Sequence, residues 1–337
     1  MPTMSLDSVK VLPMQSRSAM TLAEIRDAMS EMKPSLDGFK GGWASTNNYE
    51  SNLRRAGVAP PESVPTIESA TNVLPEMLKA RFYYWDPAPS GLSDQVEHDP
   101  LSTRRLNAID VIITEPAPGR VGLLFSTRTR AYLNRNFGVI ACLERILQSK
   151  DVTIKVDRGE SHLRLHDEEI FLWLAVQRRD KPQLAEDLRV DMISGISSRD
   201  GASRTADLRY GVDFERSNFL TAVAEVDTLG PIDLNFVHYV GGDNHSYEVR
   251  LHVDGGFEIR KSGLHFPDQL NREDMMMETS LFLAYSLIPR LNQLYIDDAP
   301  NWKNQRVEVI ESAMTALEER YKTLKTLLQH QHDEESH

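Results

Sequence analysis

From Ile232 to Val253 the chain alternates with a period of two. Ile232, Leu234, Phe236 and His238 fall on one side, and Asp233, Asn235, Val237 and Tyr239 on the other. Tyr247, Val249, Leu251 and Val253 likewise alternate with Glu248, Arg250, His252 and Asp254. Successive strand side chains point to opposite faces, so the pattern predicts an antiparallel meander over residues 232–261, with turns at 241–244 and 254–256. A one-sided sheet needs a cover. The segment 271–296 supplies it as helix, interrupted at Pro289, through Met277, Leu281, Ala284, Ile288, Leu291 and Tyr295.

The C-terminal region changes period. Val307, Ile310, Met314, Leu317, Tyr321, Leu324 and Leu328 keep a strict 3-4 spacing, the seam that knobs-into-holes packing requires. Its partner is either another subunit or this chain's own 271–296 helices, which would form an antiparallel pair. Arg320 and Lys325 would repel in a parallel homodimer, which favours antiparallel or intramolecular packing.

Upstream, Thr21 and Glu24 form a capping-box pattern ahead of Ile25, Met29 and Met32, predicting a first helix over 21–33 that ends at Pro34. A short helix over 47–55, a proline-bearing connector over 57–65 and a helix over 67–79 follow. The aromatic segment 81–85 reads as a strand and 86–103 as a loop. Two apolar runs, 108–114 and 121–126, read as a hairpin joined by 115–120. A helix over 129–148 gathers Leu133, Phe137, Ile140, Leu143 and Leu147 on one side. Short strands over 152–156 and 162–165 precede a helix over 168–177 that Asp167 caps, and segments 188–196 and 204–212 pair across a polar loop. The class is α+β: an antiparallel sheet (the meander 232–261) covered by helices, with a helical N-terminal region and a long heptad-patterned C-terminal helix. The expected divisions are an N-terminal helical region and linker over 1–64, a central α+β domain over 65–268, and C-terminal helices with a polar tail over 269–337.

Composition adds bounds. A chain of 337 residues accommodates two modest domains or one large one with appendages. Cys142 is the only cysteine, so no disulfide forms within one chain, which points to a reducing, cytoplasmic compartment. No apolar run reaches membrane-spanning length, so no membrane partner is expected. The net charge of -12 opposes nonspecific adhesion to anionic polymers. Yet residues 116–143 carry Arg120, Arg128, Arg130 and Arg135 and no acid.

Candidate chemistry is sparse. Walker, GxGxxG, GxSxG and HExxH signatures are absent, and the glycines at 38–42 are spaced for a turn. His162 and His166 would share a strand face beside Asp167, but two imidazoles do not complete a zinc site, and no metal or other cofactor is expected. His330, His332 and His337 lie in a polar tail. Arg128, Arg135 and Arg145, extended by Arg199 and Arg204, form a candidate face for nucleic-acid phosphates. The alternative is a solvated outer face of an amphipathic helix.

The run Ile109-Asp110-Val111-Ile112-Ile113, followed by Gly122 to Arg128, distantly resembles the metal-binding core of PD-(D/E)XK nucleases. That resemblance implies a Mg²⁺-binding aspartate at Asp110, with Ser126 and Arg128 standing where the family carries its second acid and its lysine. These readings favour a noncatalytic interaction module, an accessory subunit of a larger assembly that handles nucleic acid. It would bind a protein partner or a second copy through the C-terminal helix. The alternatives are a divergent metal-dependent nuclease drawing on Asp110 and Glu115, and a purely structural protein-binding subunit.

Overall fold

The chain is described from a computed structural model covering residues 7–35, 40–43, 62–87, 104–127, 133, 138–199, 205–209, 217–225, 228–267 and 272–335. In chain order the elements begin β1 (Ser8–Arg17), α1 (Leu22–Glu31), β2 (Thr66–Glu68), β3 (Met77–Pro87), β4 (Arg104–Ala117) and β5 (Arg120–Thr127). Then come α2 (Val139–Leu147), β6 (Val156–Asp157), α3 (Glu169–Asp180), β7 (Gln183–Ala185), β8 (Leu188–Arg199), β9 (Thr205–Arg209) and α4 (Ser217–Ala224). The last are β10 (Thr228–Val240), β11 (Asp243–Leu251), β12 (Phe257–His265), α5 (Arg272–Phe282), a π-helical turn (Leu283–Leu287) and α6 (Ile288–Glu335). The α+β class, the antiparallel sheet with helices and the long C-terminal helix all stand as the sequence predicts. The chain divides into two compact units: 1–164 with 254–261 and 270–288, and 165–253 with 262–269 and 289–337.

In the first unit the antiparallel strand order is β2-β3-β4-β5-β1-β12, with β6 also on β1. Alternation gives each strand two faces. Leu78, Ala80 and Phe82 of β3, Ile109, Val111 and Ile113 of β4, and Val121, Leu123 and Phe125 of β5 join one buried cluster with α1 and α2. α1 begins as its capping box requires: the Thr21 hydroxyl accepts the Glu24 N–H, and the Glu24 carboxylate accepts the Thr21 N–H at 2.8 Å. α2 contributes Ile140, Leu143 and Leu147 to the same core.

Several local readings are corrected. The first element is the strand β1, not a helix. The helix expected over 67–79 is absent: β2 occupies Thr66–Glu68 and β3 starts at Met77, because Leu78 pairs with Ile113 and its alternation with Ala80 and Phe82 fits a pleated sheet. Only Val156–Asp157 forms strand in the region expected to hold two. There Asp151 Oδ1 accepts the Thr153 N–H, Asp157 Oδ1 accepts those of Gly159 and Glu160, and the Ser161 hydroxyl accepts that of Leu163. Such local bonds satisfy the backbone without a ladder. The hairpin 108–114/121–126 is longer than expected and turns tightly, Ala117 pairing with Arg120 across a Gly119 at φ 73°.

In the second unit the antiparallel order is β11-β10-β8-β7, with β9 also on β8. β10 and β11 close through Gly241 and Gly242, both at positive φ, so Val240 meets Asp243 in a two-residue turn. α3 buries every residue from Ile170 to Val176, and its first turn is held as expected by Asp167, whose Oδ1 accepts the Glu169 N–H at 2.9 Å. α4, with Phe219, Leu220, Ala222 and Val223 buried, was not foreshadowed by the sequence. The expected interruption near Pro289 takes the form of the π-helical turn and the start of α6 at Ile288. α6 then runs unbroken through Pro300. The helix expected over 47–55 lies outside the described residues.

Candidate functional site

Asp110, the residue that carries the nuclease resemblance, sits mid-strand in β4. Its register partners are Arg81 on β3 and Ser126 on β5. Arg81 Nε donates to Asp110 Oδ1 at 2.6 Å and Arg81 Nη2 to Oδ2 at 3.0 Å, with both side chains buried. The fork-shaped guanidinium thus engages both carboxylate oxygens that a divalent cation would need. Glu115, the second acid proposed, is exposed near the end of β4 and accepts the Gly119 N–H at 3.4 Å. Among the described residues, no three His, Cys, Asp or Glu side chains converge on a point suited to a metal ion.

Of the arginines read as a phosphate-binding face, Arg128, Arg135 and Arg204 lie outside the described residues. Arg145 is exposed on the outer side of α2, whose inner side is buried. Arg199 is exposed at the end of β8, in register with Thr205 on one side and Thr228 on the other. Arg145 belongs to the first unit and Arg199 to the second.

The C-terminal helix is the most developed candidate. α6 is anchored in the second unit by polar contacts along its first half. Arg290 grips Asp187 with two donors, one at 2.8 Å, and the same carboxylate meets His238 Nε2 at 3.3 Å. The Arg290 bond holds the Asp187 carboxyl down at about 2, while burial lowers His238. Asn292 Oδ1 accepts the His166 N–H at 2.7 Å. The Tyr295 hydroxyl donates to Asp167 at 2.9 Å, and its ring meets Trp173 edge-on at 5.7 Å. Burial, and then the Asp167 carboxylate, push the Tyr295 phenol up. Trp173 Nε1 donates to Asp298 at 2.8 Å, and Arg306 pairs with Glu169 at 3.1 Å.

Leu291, Tyr295, Trp302, Val309 and Ala313 form the buried stripe of α6. The heptad seam is a different stripe, about a quarter of a turn away at 100° per residue. Val307 is 50% exposed, Met314 51%, Tyr321 72%, Leu324 52% and Leu328 65%, with Ile310 and Leu317 half-buried. From Glu318 to Gln329 every residue is exposed. Residues 288–296 cannot pair back on the seam, because both belong to the single helix α6. The seam is thus apolar, regularly spaced and, apart from the half-buried Ile310 and Leu317, exposed.

No family profile matches the chain, and no curated protein matches its sequence.

Two features escaped the sequence reading. His162 does not pair with His166 as a ligand couple: the His166 ring binds Asp167 at 2.9 Å, while the His162 ring stacks on Tyr285 at 6.2 Å. Both His162 ring nitrogens are buried without a partner among the described residues, and the Tyr285 hydroxyl is buried beside Thr114. Burial lowers His162 to about 4 and raises Tyr285 to about 12, so both are neutral at pH 7. Gly122 makes room, since a Cβ there would lie 2.6 Å from the imidazole. Only the glycine within a β-run offered a signal for this contact. The second unit also carries an open cleft of about 480 Å³ between α3 and α6, lined by Trp173, Gln177, Asp180, Lys181, Asp297 and Asp298 among others. Its Trp173 and Asp298 are already bonded to each other, which suits a wet surface groove more than an apolar ligand pocket.

Proposed function

We propose that this chain is a noncatalytic protein-interaction subunit that enters a larger assembly through the seam face of α6. One observation carries the reading: five apolar residues at heptad positions are half or more exposed on a helix whose other stripe is packed. Leaving an aligned apolar stripe in water forgoes about 1.5 to 3 kcal/mol for each large side chain that burial would return, so such a stripe marks a binding surface. Polar anchors from Arg290 to Arg306 hold the root of the helix, so the exposed half is presented from a fixed base.

The nuclease alternative is disfavoured by the Arg81 ion pair, because a buried cation already neutralises Asp110. A role in a nucleic-acid assembly rests on arginines of which Arg145 and Arg199 are exposed. It is a secondary part of the proposal.

The test is the size of the native species in extracts of its own cells. Wild-type protein should migrate well above its 38.2 kDa chain mass, and Met314→Glu with Leu324→Glu should return it to that mass without loss of folding. A bare chain in the wild-type extract, or an assembly that survives the double substitution, would refute the reading.

A further inference from the structure

The exposed seam carries its own instructions for a partner in the charges that flank it. Taking Val307, Met314, Tyr321 and Leu328 as position a, and Ile310, Leu317 and Leu324 as d, position e holds Glu311, Glu318 and Lys325. Position g holds Arg306, Ala313, Arg320 and Leu327. Glu318 and Lys325 are exposed and make no ion pair with any described residue.

We infer that the occupant of this face is a second copy of the chain, packed antiparallel so that Leu317 meets Leu328 and Tyr321 meets Leu324 of the other copy. The inference rests on the interaction reading above and supplies its partner. In an antiparallel pair, e positions flank e positions and g flank g. In this register Glu318 of each copy lies beside Lys325 of the other, so the contact occurs twice, and the stem of Arg320 lies along Leu327. All four central layers are apolar, and apart from the half-buried Leu317, at the outer two, their residues fall within the stretch of α6 that is exposed in the chain.

The neighbouring arrangements are worse. A parallel pair sets Arg320 against Lys325 twice. Sliding the antiparallel pair one heptad toward the helix root lets Glu311 reach Lys325, but brings Glu318 against Glu318 and Arg320 against Arg320. That slide also drives the partner's tip toward Ile310, which the second unit already half covers. Sliding the other way sets Lys325 against Lys325 and shortens the overlap. Charge complementarity therefore selects one orientation and one register.

The experiment uses the purified full-length chain in sedimentation equilibrium at low salt. Wild type should sediment at twice its 38.2 kDa mass. Lys325→Glu turns two attractions into two repulsions and should weaken the dimer about tenfold, and adding Glu318→Lys should restore it. Register is read by oxidative cross-linking of single-cysteine substitutions. The native Cys142 is buried, with its thiol pushed up by desolvation, so it does not compete. Leu317→Cys and Leu328→Cys chains should cross-link when mixed and not alone, because each residue lies about 16 Å along the axis from its own copy.

A monomer at 100 micromolar or so would overturn the self-association and leave the interaction reading to the native-extract measurement. Tighter dimerisation of Lys325→Glu, or cross-linking of Leu317→Cys alone, would overturn the antiparallel arrangement.

Discussion

Arg81 and Asp110 face each other across β3 and β4 with two hydrogen bonds, buried in the first unit. Removing one partner strands the other charge in a low-dielectric interior, which typically costs about 3 to 5 kcal/mol, whereas replacing both with apolar groups is often tolerated. Asp110→Ala should therefore lower the unfolding free energy by several kcal/mol, and Arg81→Met with Asp110→Leu by much less. Urea denaturation of the three proteins checks this. An Asp110→Ala protein as stable as wild type would contradict the structural role given to the pair.

His162 gives the first unit a pH response. Burial lowers its folded-state value from 6.5 to about 4, so the folded protein resists protonation that the unfolded chain accepts. The contribution is complete above pH 6.5 and is lost as pH falls from there toward 4, by up to about 3 kcal/mol at 1.36 kcal/mol per unit. His162→Leu should flatten the stability profile over that window. Equal pH slopes for the two proteins in denaturant titrations would rule the mechanism out.

Asp187 responds lower on the scale. The Arg290 bond holds its folded value near 2 against 3.8 unfolded, so its stabilisation is present above about pH 4 and disappears as pH falls through 2. Asp187→Asn should destabilise the second unit at pH 7 and matter little at pH 2. The pair is more than a third exposed, so the effect is modest and salt-sensitive. Thermal melts in low and high salt measure it.

The two stripes of α6 should behave differently. Trp302 is buried, and Trp302→Ala should cost about 3 to 5 kcal/mol. Tyr321 is 72% exposed in the chain, so Tyr321→Ala should leave the stability of the unassociated protein unchanged. A melting temperature that falls equally in both would show that the seam packs within the chain.

How much of this was readable in advance depended on the range of the signal. Period-two alternation and paired glycines announced β10 and β11, and the Thr21–Glu24 box announced α1, because each is written in a few consecutive residues. The residues at 67–79 looked helical because Ile67, Leu74 and Leu78 also fit that period, and only pairing with β4 makes Leu78 a strand residue. Pro300 lies inside α6, where a proline removes one backbone hydrogen bond. It is tolerated because it and Ile296, whose carbonyl loses its bond, are on the exposed side where water can substitute.

The seam itself was legible, but not its exposure. Leu291, Tyr295, Trp302, Val309 and Ala313 fit the helical period as well as the seam does, and only packing decides which stripe faces inward. Arg81 was missed as Asp110's partner because the two are 29 residues apart in sequence.

The central claim is that the seam face of α6 is covered in the working protein, and Tyr321 and Met314 report on this directly. Hydroxyl-radical footprinting of the native assembly, compared with the dissociated Leu324→Glu and Leu328→Glu protein, reads their accessibility residue by residue. The account predicts that both side chains react several-fold more slowly in the native assembly, while the exposed Val152 reacts equally in both samples. Equal reaction of Tyr321 and Met314 in the two samples would contradict it.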